Sequence, residues 1–357
     1  MSVPDVGEAV SSVAVIGAGS IAVIGAGSIA VIGAGSFGTA LALQLARRGS
    51  HTRLWGRNAA EMTEANRMRR NPRYLADCEF PMTLVATGDI DAALLDAEDI
   101  VIATPSHALR ATVEMLKPKL RAGQGVVIAC KGFEPGTGKL SHEVVADVLD
   151  ASYPYAVLSG PTFASELGRG LPTAVIIASL DDAFAKRVAH RLNGGGFRAY
   201  TGHDVVGVEL GGAAKNVIAI AAGASDGLGF GSNARSLLIT RGLAEIRRLG
   251  EKMGAESETL MGLAGLGDLV LTCTDNQSRN RRMGLLLASG RTIAQATQEI
   301  AQVVEGIKAA PEVHRLALRY DVSMPITAVA CAVIDGRMTP REAFATLASR
   351  SVRAEAR

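Results

Sequence analysis

Between Ala9 and Ala46 no side chain is charged, and within that stretch the octet VIGAGSIA occupies Val15–Ala22, recurs at Val23–Ala30, and opens a third time at Val31 as VIGAGSFGTA. An apolar strand followed by G-x-G-x-x-G/A leaves few choices. The glycines permit a tight strand-to-helix turn in which backbone N–H groups approach an anion. All three copies satisfy the spacing, but only the third runs at once into a helical pattern, Thr39 to Arg48. A period of eight seen three times is too short for a helical solenoid, so the repeat reads as a tandem duplication of one turn. The third copy is then the functional one. Gly33 makes the turn, Gly35 leaves room for a pyrophosphate, and Gly38 lets the helix press on the sheet. The first two copies are surplus, and residues 1–29 are expected to form an N-terminal tail.

The uncharged stretch is also long enough to span a bilayer. Against that reading, seven glycines interrupt it, and Asp5 and Glu8 stand where a signal sequence needs Lys or Arg. No integral membrane segment is expected. Over the whole chain 37 Lys+Arg face 35 Asp+Glu, a formal charge of +2, which offers no general field for nucleic acid or an anionic surface. A small-molecule partner gripped by local cations fits better. Cys78, Cys130, Cys273 and Cys331 lie far apart with no C-x-x-C pair, which gives no metal framework and suits a reducing cytoplasmic compartment.

A length of 357 residues suggests two domains. Through the first, residues 51–55 read as a second strand after the glycine-turn helix, short apolar runs at 84–86, 100–103, 126–129 and 156–158 alternate with helical patterns, and two more β-like runs follow at 173–178 and 197–200. That order predicts an α/β Rossmann-type N-terminal domain with a mostly parallel sheet, residues 30–201. Beyond Thr201 the period changes to 3.6, with Leu237, Leu238, Arg241, Ile246, Leu249 and Met253 in one amphipathic stretch. Residues 202–357 are therefore expected to form an all-helical C-terminal domain. No proline-rich or charged linker divides the two, so they should pack across a cleft.

In such a sheet ligands sit beyond the carboxyl ends of the strands. An acidic residue holding an NAD ribose would stand about twenty residues after the glycine turn; here Gly56, Arg57 and Asn58 follow the strand. An arginine suits a 2′-phosphate and admits NADP beside NAD, the alternative being a solvated loop cation. Lys131 comes directly after Ala129-Cys130; it is costly to desolvate and should face an anion or the cleft. His107 is a candidate acid–base group, with no carboxylate evident near it. In the helical half, ELGGAAKNVI at Glu209–Ile218 places two glycines in a helix, at a cost of roughly 1 kcal/mol each relative to alanine. Gly211 and Gly212 lie four and three positions before Lys215, on its face of the helix, clearing space beside the amine. Burial and a second cation such as Lys131 would lower the pKa of Lys215 toward neutrality, as proton transfer requires. A lysine snorkelling to solvent is the other reading.

From about Ile29 to Ala345 the chain resembles the NAD(P)-dependent glycerol-3-phosphate dehydrogenases. The resemblance is carried by GAGSFGTALA at Gly33–Ala42, LWGRN at Leu54–Asn58, ATPSHALR at Ala103–Arg110, CKGFE at Cys130–Glu134 and SGPTFASE at Ser159–Glu166. It continues through ELGGAAKNVIAIAAG at Glu209–Gly223, GLGDLVLTCT at Gly265–Thr274, SRNRRMG at Ser278–Gly284 and VVEG at Val303–Gly306. The first motif is common to many dehydrogenases, and the last five in this order are specific. The two extra VIGAGSIA copies depart from the family pattern, which begins with one such strand.

The resemblance implies reversible reduction of dihydroxyacetone phosphate to sn-glycerol 3-phosphate with NADP or NAD, for phospholipid synthesis, by a homodimer. It matches Lys215 to the general acid–base lysine and Ser36, Phe37 and Arg57 to cofactor contacts. Lys131 matches a lysine touching both cofactor and substrate; Gly160 and Thr162 match substrate contacts and Ala164 a cofactor contact. Asp268, Ser278, Arg279 and Asn280 match the remaining substrate grip, with Arg279 also reaching the cofactor, and Val303 and Glu305 match the last cofactor contacts. On chemical grounds Asp268 would orient Lys215 or merely turn the chain. The guanidinium of Arg279, flanked by short polar side chains, suits a phosphate, while Arg281 and Arg282 read as solvated. Two other functions share parts of this pattern: a dehydrogenase for another hydroxy acid or sugar phosphate, and a dinucleotide sensor without turnover.

Overall fold

A computed structural model describes residues 27–351; the first repeat copy and residues 23–26 of the second lie outside them. Ten strands occur among the described residues: β1 Ser28–Ile32, β2 His51–Trp55, β3 Arg70–Asn71, β4 Leu75–Glu79, β5 Leu84–Thr87, β6 Ala97–Ile102, β7 Gly125–Ile128, β8 Tyr155–Ser159, β9 Thr173–Ala178 and β10 Phe197–Gly202. Eight of them form one sheet in the order β10-β9-β8-β7-β6-β1-β2-β5, and β3 and β4 make a separate antiparallel pair. Every neighbour in the large sheet is parallel except β8 and β9. The strand order reverses between β1 and β6, the switch point at which an open α/β sheet binds ligands.

The N-terminal expectation needs one correction. β1 begins at Ser28 and pairs with β2 from Ser28↔His51 onward, so the tail cannot run to residue 29. The cause is burial: Ile29 is 1% exposed and packs in the core under the sheet. The last three residues of the second copy thus start the strand, and the third copy supplies its end and the turn. The helix Ser36–Arg47 follows immediately.

Both faces of the sheet are covered, one by the helices Ser36–Arg47 and Asp182–Leu192 and the other by Leu109–Leu116 and Ser141–Leu149. This is why its central strands carry continuous apolar stretches such as Ile100–Ile102, Val126–Ile128 and Ala156–Leu158. The helices Ala59–Met68 and Ala164–Gly168 and the β3–β4 pair were not legible as elements; the first holds only Met62 and Ala65 as buried residues and rests on its Asn58 cap.

From Val205 onward all regular structure among the described residues is helical. The Val205–Gly227 helix runs through the middle of this part, and Gly207 to Ile220 are buried without interruption. By length and composition it could cross a membrane, yet 89% of its apolar window is buried inside the protein. Its apolarity is that of a core. The Gly231–Met253 helix behaves differently from its sequence pattern: Ile246 and Leu249 are buried, but Leu237 is 61% exposed.

Candidate active site

The glycine turn has the stereochemistry its spacing demands. Gly33 adopts φ +118°, and a Cβ there would lie 2.8 Å from the Ala103 carbonyl oxygen at the end of β6. A Cβ on Gly38 would collide with the carbonyl of Gly33, so the helix could not close on the turn. Around Gly35 there is open space, where the first N–H groups of the Ser36–Arg47 helix are directed. Phe37 and Ala164 both pack against the core beneath this turn. Two hydroxyls at this edge of the sheet, Thr104 Oγ1 and Ser159 Oγ, are buried with no hydrogen-bond partner. A dinucleotide fits this edge: an open anion-facing turn, unpartnered hydroxyls, and exposed Arg57 just past β2.

The strand ends β7 and β8 carry Lys131 and Gly160 toward the helical half. Lys131 Nζ donates to the Gly160 carbonyl at 2.8 Å and to Asp268 Oδ2 at 2.7 Å, and stands 5.8 Å from the centre of the Phe37 ring. Thr162 Oγ1 donates to the same Gly160 carbonyl at 2.8 Å. Gly160 itself has φ +139°, with a Cβ position 2.8 Å from the Ala174 carbonyl of β9.

Asp268 ties the two halves together. Its Oδ1 is ion-paired with Lys215 while Oδ2 takes Lys131. Lys215 Nζ also donates to Thr272 Oγ1 at 2.8 Å, and that hydroxyl donates to the Asp268 carbonyl at 2.6 Å. Asp268 is 1% exposed and Lys215 6%. Burial pushes the Lys215 ammonium down to about 8; Asp268 works against this and the neighbouring Lys131 charge adds to it. The local fold explains the placement of Asp268. One wide turn, Leu263–Gly267, closes with Gly267 N–H donating to Gly262 O at 3.0 Å, and Asp268 opens the next helix, Asp268–Thr274. Such i→i+5 turns recur at functional sites.

The helix glycines do less for Lys215 than their spacing suggests. A Cβ on Gly211 would meet the Ala264 carbonyl at 2.7 Å, and one on Gly212 would meet Ser159 Oγ at 2.8 Å and Lys131 Cδ at 3.6 Å. They let the wide turn and the sheet domain press on the helix; only Gly212 borders the lysine pair.

Ser278 caps the Arg279–Ala288 helix, its hydroxyl accepting from Arg281 N–H at 3.2 Å. The exposed Arg279 side chain stands at that helix start. Partial desolvation by the surrounding protein lowers its pKa, Glu305 opposes this, and Arg282 adds to it. Asn280 is buried, and its amide is committed: Nδ2 donates to Asn216 Oδ1 at 2.7 Å and Oδ1 accepts from Gly306 N–H at 2.9 Å. Its side chain therefore ties three helices together, and its backbone N–H is what it presents at the helix start. Arg281 is not solvated: it is 8% exposed and pairs with Asp226 at 2.6 Å. Glu305 opens the Glu305–Arg319 helix and accepts from Ser106 Oγ at 2.8 Å; Val303, two residues earlier, is 37% exposed.

His107 joins none of this. It lines an open groove with Glu114, Ile307, Lys308 and Pro311, and its pKa is lowered by burial, then by Lys308, against the pull of Glu305. Thr272, Ser106 and Asn216 are site residues that the sequence reading missed. Thr272 had a usable signal, four positions after Asp268 on the same helical face.

Two family profiles match in succession: the N-terminus of NAD-dependent glycerol-3-phosphate dehydrogenase over residues 28–185 and its C-terminus over residues 204–345. A glycerol-3-phosphate dehydrogenase [NAD(P)+] of Xanthomonas euvesicatoria pv. vesicatoria is 51% identical over 319 residues, 89% of this chain and 94% of that protein. Its counterpart in Pseudoalteromonas translucida is 50% identical over 348 residues, 97% of this chain and 99% of its own length. Among solved structures, glycerol-3-phosphate dehydrogenase from Coxiella burnetii superposes with a TM-score of 0.87 at 46% identity, covering 91% of this chain and 99% of that one.

Proposed function

The chain belongs to the NAD-dependent glycerol-3-phosphate dehydrogenase family, and from that premise we propose how its own residues carry the reaction. The enzyme interconverts dihydroxyacetone phosphate and sn-glycerol 3-phosphate with NADP or NAD, supplying the backbone of glycerophospholipids. Bound NAD(P)H supplies the hydride that reduces the ketone. The glycine turn from Gly33 to Gly38, with Ser36 and Phe37, holds the pyrophosphate, and Arg57 meets a 2′-phosphate when the cofactor is NADP. Ala164, Val303 and Glu305 border the rest of the cofactor.

Lys215 is the acid–base group. In reduction its ammonium gives a proton to the carbonyl oxygen as negative charge develops there, and in oxidation the neutral amine takes that proton back from the hydroxyl. The observation that carries this reading is the buried Lys215, drawn down to about 8 and held between Asp268 and Thr272. Both protonation states are then populated near neutral pH, which an ordinary lysine does not offer. Asp268 fixes the direction of the amine. Lys131, anchored to Gly160 and Asp268, places a second positive charge beside the developing alkoxide.

The substrate phosphate sits at the start of the Arg279–Ala288 helix. Its partners are the Arg279 guanidinium and the N–H groups of Arg279 and Asn280, while Ser278 holds the cap. Gly160 and Thr162 border the other end of the substrate. Measuring NAD(P)H oxidation with dihydroxyacetone phosphate and with unphosphorylated dihydroxyacetone tests this placement. Arg279→Ala should lose most of the parent's preference for the phosphate ester; a full preference in the variant would put the phosphate elsewhere. The working form is a homodimer in the cytoplasm, a reading supported by the four buried free cysteines and, for the dimer, by family resemblance; light scattering on the purified chain tests it.

A further inference from the structure

The turn that feeds the Arg279–Ala288 helix is unusually well fixed. Asp275 Oδ1 accepts from Gln277 N–H at 2.7 Å, and the Asp275 carbonyl accepts from Ser278 N–H at 3.1 Å. Arg281 braces the turn from below. Its guanidinium bonds the Cys273 carbonyl at 3.1 Å, the Asn276 side chain, and Asp226 at 2.6 Å. Whatever holds Gln277 therefore holds the start of the Arg279 helix with it.

The Gln277 side chain crosses to the sheet domain. Ser165 Oγ donates to Gln277 Oε1, and Gln277 Nε2 donates to Glu166 Oε1 at 3.0 Å. Ser165 and Glu166 belong to the short helix Ala164–Gly168, whose first residue borders the cofactor in the reading above. The amide uses both of its ends, one as acceptor and one as donor, so its orientation is fixed by its partners. Elsewhere around the reaction centre the two halves meet through Lys131 and Asp268 and through Ser106 and Glu305, which touch or border the reactants. The Gln277 bridge is polar, lies at the open rim, and touches no reacting group.

We propose that Ser165, Glu166 and Gln277 form a strap across the mouth of the cleft, with Gln277 a positioning residue that sets the distance between the phosphate-holding helix start and the cofactor side. This rests on the assignment of the phosphate to Arg279. With the strap made, the Arg279 guanidinium and the two helix N–H groups stand ready at the span the substrate requires. With it broken, the helix start stands at that span only part of the time, and the apparent affinity for the phosphate falls by that fraction. Saturating phosphate ester draws the helix start back by its own binding, so turnover at saturation is preserved, and a substrate without a phosphate does not use this grip.

The strap can be reversed without changing its shape. Gln277→Glu sets a carboxylate against Glu166 and should raise KM for dihydroxyacetone phosphate by roughly three- to tenfold, the range set by one modest hydrogen-bonded link. Its kcat should stay within about twofold of the parent. Dihydroxyacetone, which lacks the phosphate, should react with unchanged kcat/KM. In the double variant Gln277→Glu with Glu166→Gln, the amide introduced at position 166 donates to the carboxylate at position 277. Ser165 still donates to that carboxylate, and KM should return to near the parent value. Equal losses on both substrates, an unchanged KM in Gln277→Glu, or no recovery in the double variant would each overturn the strap. Arg279→Ala in the same assay separates the two ideas. If it abolishes the phosphate preference while Gln277→Glu does nothing, the phosphate site stands and the strap falls; if it leaves the preference intact, the site assignment beneath the strap falls with it.

Discussion

Lys215→Met should remove turnover and yet stabilise the protein at neutral pH. In the fold the ammonium has a pKa of about 8 against its ordinary 10.5, and 2.5 units at 1.36 kcal/mol each amount to roughly 3 kcal/mol. Above pH 10.5 the lysine is neutral in both folded and unfolded chains and nothing is lost. Between 10.5 and about 8 the unfolded chain holds a proton that the folded one does not, so stability declines as the pH falls. Below about 8 the whole amount is missing. Methionine occupies the lysine stem without a charge and leaves Asp268 its contact with Lys131. The variant should therefore exceed the parent by up to about 3 kcal/mol at pH 7, with the gap closing toward pH 10.5. Its maximal rate should drop by roughly a hundred- to ten-thousand-fold. Urea unfolding followed by circular dichroism at pH 7 and pH 10, beside initial rates with dihydroxyacetone phosphate, measures both. In the parent, kcat/KM for reduction should fall about tenfold per pH unit above 8, while oxidation should rise through the same value. A variant less stable than the parent at pH 7, or a stability gap that does not change with pH, would refute the picture of a destabilised ammonium kept for proton transfer.

Arg57→Ala should weaken NADPH more than NADH, by about the ten- to hundredfold of a lost charge-assisted contact; equal losses in titrations with the two cofactors would show that Arg57 does not read the 2′-phosphate. Deleting residues 15–30 joins Ala14 to Val31, so that Ser12-Val13-Ala14-Val31-Ile32 replaces Ser28–Ile32 in β1. The only change in the strand is Ile to Val at the buried position of Ile29, worth about 0.5–1.5 kcal/mol, and cofactor binding with near-parent activity should survive; a deletion variant that folds but no longer binds NAD(P)H would contradict the assignment of the third copy as the working turn.

The sheet was legible because its physics is local. Strands covered on both faces are largely apolar, and β9 falls at the residues where an apolar run was read, while β2, with His51 and Arg53, was placed by its position after the first helix. The β1 boundary escaped because the repeated octets are nearly identical and are told apart only by the segment each one leads into. The choice among Ser12, Ser20 and Ser28 as a strand start depends on which residue pairs with His51, a contact between segments. Arg281 misled for a related reason. An arginine beside other arginines looks solvated, and nothing in its neighbours says that Asp226, 55 positions away, accepts its guanidinium.

The site divides along the same line. Lys215 was read from its glycine-bearing helix and Lys131 from its place at a strand end, while Thr272 went unread although it stands one helical turn after Asp268. The carboxylate that joins them is 137 positions from Lys131 and reaches both lysines because one wide turn ends at Gly267. A Cβ on Gly265 would collide with the Leu260 carbonyl, so the glycines of LAGLGD serve this turn as well as any ligand. Read as a string, they look like loop punctuation; folded, they set where the next helix begins, and therefore which residue faces the amines. Had that helix begun one residue later, Asp268 would lie about 100° around its axis from the lysines. The two ammonium groups would then share no counter-charge, and the buried Lys215 would have no carboxylate to hold its proton in line with the substrate. On the proposed roles, the chemistry thus depends on where a glycine-built turn ends.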